Sequence, residues 1–100
     1  MNGNVSSSQI VSGNNNTVNY NEALALNAIQ EIEKSLKKEL VSGEDLECAM
    51  ELLEDVSQKI KQKKKTNLVK AAFSGLKDFA VSVGANVTAT LILAKMQGLF

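Results

Sequence analysis

One hundred residues with no His, Trp or Pro, one Cys, and eleven lysines balancing eleven acids suffice for one small domain, which buries about two-thirds of the surface its unfolded chain exposes. Without an imidazole or a second thiol the chain lacks the parts of Ser-His-Asp, Cys-His and common zinc sites. All basic residues are Lys and only four are aromatic, so bidentate phosphate or base recognition and base stacking have little to work with, and no enzymatic activity, metal, cofactor or nucleic-acid partner is expected.

The balance of charge hides a segregation. Residues 22–55 hold ten acids against three lysines, a net of −7, whereas residues 56–100 hold eight lysines against Asp78, a net of +7. Halves so opposed attract, within one fold or between copies. Cys48 stands alone and no charged segment followed by an apolar one opens the chain, so a reducing cytoplasm is the expected compartment.

Residues 1–21 carry no charge but seven Asn and four Ser. Their short apolar patches, Val5, Ile10 with Val11, and Val18 with Tyr20, cannot build a core. Gln9, Ile10 and Val11 on one side of Gly13 and Asn14, and Asn16 and Val18 on the other, form two β-capable runs about a Gly-Asn bend, a pattern for a hairpin or for a β-arch stacked between chains. An isolated two-stranded unit is marginal in water. Stacking satisfies both backbone edges and sets Asn upon Asn as amide ladders, so Gln9, Ile10, Val11, Gly13, Asn14, Asn16, Val18 and Tyr20 are the candidate self-association residues. An inert polar tail has the same composition, and that reading stays open.

Gly13-Asn14-Asn15-Asn16-Thr17-Val18 resembles the Gly-x-x-Asn-x-hydrophobic half of the receptor homotypic interaction motif and of the related amyloid signalling motifs of bacterial and fungal immune proteins. Gln9-Ile10 resembles part of the hydrophobic-Gln-hydrophobic half, with Val11-Ser12 before Gly13 and Ser8 where that family has an aliphatic residue. The resemblance covers about a tenth of the chain. It implies a segment that templates, or is templated by, a matching segment on a partner protein, joined to a small helical effector domain that acts on membranes in microbial defence.

After Asn21 the composition turns to helix formers. Ala25, Ile29, Ile32, Leu36 and Leu40 recur at helical spacing behind an Asn21 N-cap, with Glu22 and the Lys37-Lys38 pair at the ends the helix dipole favours, which predicts a helix over 22–40. Residues 41–45 read as a short turn with Ser42 as the next cap, and Leu46, Met50, Leu53, Val56 and Ile60, widened by Ala49 and Leu52, predict a second, antiparallel helix over 44–64. The acid pairs Glu44-Asp45 and Glu54-Asp55 read as its solvated face. Lys59, Lys61, Lys63, Lys64 and Lys65 form a basic segment at its end.

Thr66 or Asn67 is the expected cap of a third helix over 67–97, striped by Leu68, Ala72, Leu76, Phe79, Val83, Val87, Leu91 and Ala94. Gly75 and Gly84 weaken it, so a bend or break is expected near Gly84-Ala85. Residues 79–94 hold no charge, nearly the length of a membrane span. Phe79, Val83, Gly84, Val87 and Leu91 therefore read either as a core helix or as one that enters a membrane beside the basic segment. The core reading is favoured because the stripe continues upstream and needs partners there.

The expected architecture is mainly α: a helical hairpin and a longer third helix at 22–100, preceded by a β-forming tail at 1–21. The expected function is non-enzymatic self-assembly, the tail pairing with its own kind or with a matching protein motif and the body acting as a small effector. Two other classes stay open, a helical adaptor that binds a protein partner, and a membrane-active toxin or tail-anchored protein acting through residues 79–94.

Overall fold

The computed structural model describes residues 19–41 and 43–100, and among them all regular secondary structure is helical. Four helices follow in order, α1 (Glu22–Leu40), α2 (Glu44–Lys61), α3 (Thr66–Ser82) and α4 (Asn86–Leu99). The first two occupy the spans expected from the sequence, α2 ending three residues earlier. The single third helix is instead two, divided at Gly84.

Each helix buries positions at steps of four, three and four: Ala25, Ile29, Ile32 and Leu36 in α1, Ala49, Leu53, Val56 and Ile60 in α2, Val69, Phe73, Leu76 and Ala80 in α3. Ala85, Ala89 and Ile92 continue the rule into α4, with Met96 half-buried at its next step. That 3.5-residue repeat belongs to antiparallel bundles packed knobs into holes. The helices form a closed ring in which each packs on its chain neighbours and α4 returns to α1. Full burial of a side chain such as Ile32, Phe73 or Leu76 contributes about 1.5–3 kcal/mol.

Local chemistry sets the ends. The Asn21 side chain accepts from the Leu24 N–H at 3.0 Å and caps α1 as expected. The Ser42 cap lies outside the described residues, and α2 begins behind Gly43 without a side-chain cap. At α3 neither Thr66 nor Asn67 is the cap: Lys65 holds the N-cap position and makes no side-chain cap. The hydroxyl of Thr66 instead accepts the N–H of Asn19 at 2.8 Å.

Helices α2 and α3 end in the same way. The Lys64 N–H donates to the Lys59 carbonyl and Lys63 to Ile60, while Ala85 donates to Ala80 and Gly84 to Val81. These are Schellman ends, whose pivotal residue takes positive φ. It is Lys63 at 56° and Gly84 at 81°.

The break at Gly84 corrects the expected stripe. Carried unbroken beyond Ala80, the periodicity puts Val83, Val87, Leu91 and Ala94 on the core side. The reversal at 83–85 resets the phase, so Ala85, Thr88, Ala89 and Ile92 face inward and Val87 is 68% exposed. Upstream the stripe is displaced by a residue: Val69 and Phe73 are buried, Leu68 is exposed and Ala72 is half-buried.

Candidate functional site

Two regions stand out, one holding residues singled out in the sequence and one that the sequence did not mark. The first is the bundle end where the leader joins the body. Gln9, Ile10, Val11, Gly13, Asn14, Asn16 and Val18 lie outside the described residues. The chain is fixed at once after them: Asn19 is bonded to Thr66, and the Tyr20 ring stands edge-on to Phe100 at 5.8 Å, itself edge-on to Phe73 at 6.0 Å. Tyr20 is half-buried against the core. Its hydroxyl is buried without a hydrogen-bond partner, and desolvation, aided by the Glu22 charge, raises its pKa.

Beside this junction lies the basic segment, Lys59 and Lys61 in the last turn of α2 and Lys63, Lys64 and Lys65 in the connection to α3. Lys59 is paired with Asp55 at 2.9 Å. The acids Glu44, Asp45 and Glu47 lie in the first turn of α2, with Glu44 displaced from Lys61 by about 26 Å over seventeen helical steps. That is several times the Debye length of about 8 Å at physiological salt. The charge segregation thus persists along one helix. Besides Lys59 with Asp55, Lys95 with Glu31 joins the acidic half to the basic one.

The second region is the seat of α4 on α1. Ala85 at the N-cap offers no side-chain cap, which leaves orphan N–H groups at the positive end of the helix dipole. Glu39, from the last turns of α1, supplies the missing anion: Oε2 accepts the Val87 N–H at 3.2 Å and Oε1 the Thr88 N–H at 2.5 Å. The fully buried Thr88 hydroxyl lies 2.6 Å from that of Ser35. Farther along, Lys95 donates to Glu31 at 2.8 Å.

Desolvation raises the Glu39 pKa, but hydrogen bonds from the Thr88 side chain, the Thr88 N–H and the Val87 N–H outweigh it. The net shift is downward. Nothing local marks Glu39 as a cap, because the groups it serves are 48 and 49 residues away.

The charge-free run 79–94 is not one element. Phe79 is half-buried in α3, Val83 and Gly84 form the turn, and Val87 and Leu91 lie on α4. Among the described residues no helix is long and apolar enough to cross a membrane, and no group of three or more His, Cys, Asp or Glu is placed to hold a metal ion. No protein-family model, curated protein or solved structure matches the chain.

Proposed function

We propose that this chain is a non-enzymatic self-assembling protein, its uncharged leader pairing with copies of itself or with a matching segment on a partner protein, and its four-helix body serving as a small effector in microbial defence. The carrying observation is the junction. Val18, the last position of the Gly-x-x-Asn-x-hydrophobic pattern, is followed directly by Asn19, which is bonded to α3. The four helices enclose an apolar core of their own in a closed ring, with Tyr20 packed against it. The leader's amides are then available for ladders between chains.

Light scattering on the full chain and on a chain lacking residues 1–18 tests this reading, the shortened chain keeping Tyr20 in its place. The expected result is a large species that collapses to one of a few bundles at most on truncation. The double substitution Gly13→Val with Asn16→Asp crowds the bend and stacks like charges, and should act as truncation does. Large species that persist in both variants rule the reading out.

A further inference from the structure

Helix α4 has a second apolar stripe, on its outside. Val87, Leu91, Ala94 and Gly98 follow steps of four, three and four, the same spacing as the buried positions, on the side of α4 next to α1. Val87 is 68% exposed, Leu91 half-buried, Ala94 and Gly98 exposed. Between this stripe and α1 run two hollows of about 360 and 380 Å³. The first is bordered by Leu24, Asn27, Ala94 and Gly98, the second by Lys34, Lys38, Val87 and Leu91. Glu31 borders both, so they lie end to end as a trough along the seam, crossed by the pair of Glu31 with Lys95.

We propose that this trough is where a second copy of the chain docks, α4 lying antiparallel on α4 about a two-fold axis. The stripe is large at one end and small at the other. A two-fold between Leu91 and Ala94 sets Val87 over Gly98 of the other copy and Leu91 over its Ala94, each large side chain over a small one, while a parallel pairing sets Val87 on Val87 and leaves Gly98 facing Gly98. Knobs need such holes.

Charge is compatible with the antiparallel arrangement. Lys34 and Lys38 flank the large end, whereas Leu24 and Asn27 flank the small end. Antiparallel pairing brings the two α1 flanks to the same side and lays the lysine flank of one copy against the uncharged flank of the other. Near the axis each copy presents Glu31 already paired with its own Lys95, so no isolated charge is covered.

The acidic face of α2 is diagonal to α4 in the ring and stays clear of the contact. A helix of fourteen residues is about 21 Å long, and a single such crossing falls short of the roughly 800 Å² per partner of a standard interface. The pair therefore dissociates on dilution. It does not depend on the leader, so it stands or falls separately from the assembly proposed above.

The test uses full-length chains carrying Cys48→Ser. One preparation has Val87→Cys and another Gly98→Cys, mixed in equal amounts and oxidised, with the cross-linked species resolved by mass. The mixed disulfide should exceed the two self-disulfides together several-fold, whether or not Gly13→Val and Asn16→Asp are also present. Statistical proportions, an excess of self-disulfides, or no cross-link at all overturns the proposal.

A second variant guards against misfolding. Apart from its chain neighbours and the nearby backbone of α4 itself, nothing lies within 4 Å of a Cβ built at Gly98, so Gly98→Val leaves the bundle intact by far-ultraviolet dichroism yet fills the hole meant for Val87. The concentration-dependent shift in sedimentation coefficient should disappear in Gly98→Val and in Leu91→Glu. A shift that survives in both variants overturns the proposal too.

Discussion

Helices α2 and α4 differ in what decides their placement. The first has one apolar side, Ala49, Leu53, Val56 and Ile60, and an outside of Glu44, Glu47, Glu51, Glu54 and Asp55, so burial alone determines which way it turns. The second carries Ala85, Ala89, Ile92 and Met96 on one side and Val87, Leu91, Ala94 and Gly98 on the other. The two sides are similarly apolar. The choice falls to Thr88, Glu39, Ser35 and the Glu31–Lys95 pair, which bond only when the first side faces inward. Where hydrophobicity cannot select an orientation, a few directed polar contacts can.

Core truncation tests the contrast with the largest effect. Ile92→Ala and Leu53→Ala should each lower unfolding stability by about 2–5 kcal/mol, while Leu91→Ala on the outer side of α4 should lower it by less than about 1 kcal/mol. Urea titration measures all three. If Leu91 and Ile92 weigh equally, α4 does not have a fixed inner side.

Thr88→Val keeps the volume and removes the hydroxyl that meets Ser35. The expected loss is about 1–3 kcal/mol, because Ser35 loses its partner in a half-buried setting. Ser35→Ala in the same background should then have little further effect, a non-additivity that a double-mutant cycle reads directly.

Glu39 gives the contrast a pH dependence. Its carboxyl is held below its ordinary value of 4.5 in the fold, so its contribution is complete above that value and fades as pH falls through the lower folded-state pKa. Glu39→Gln should lower the thermal midpoint at pH 7, by a change corresponding to about 1 kcal/mol. Wild type and variant should converge as the pH drops through the lowered folded-state pKa. A difference that stays constant from pH 7 to pH 3 would show that ionised Glu39 does not hold α4.

The smallest effects come from the two Schellman ends. Lys63→Gly should stabilise by about 0.5–1 kcal/mol, since a side chain at φ 56° is strained. Gly84→Ala should destabilise by a similar or slightly larger amount, with no steric contact to confuse the result. Equal and opposite shifts in the urea midpoint would confirm that the two turns share one geometry.

These contrasts track what the sequence could reveal. The Asn21 cap, the stripe of α1, that of α2 apart from Leu52, which is exposed, and the break at Gly84 are local in origin and were legible as patterns of near neighbours. The phase of α3 and α4 was not. Apolar residues on both sides of α4 make the periodicity ambiguous, and a three-residue reversal shifts the stripe. Glu39 was equally hidden, because a cap supplied from another helix leaves no trace at the helix it caps. Tyr20 read as part of an uncharged leader; its contact with Phe100 is set by the folded bundle.

The bond from Asn19 to Thr66, so close behind Val18, has a consequence for crowding. Strands in a stacked array repeat every 4.8 Å or so, while a four-helix body is about 20 Å across. Bodies tethered this tightly cannot all stand abreast of such an array. Either few copies join, or each must surrender the Asn19 and Tyr20 contacts to lengthen its leash, so a growing array would strain the floor of every bundle it recruits.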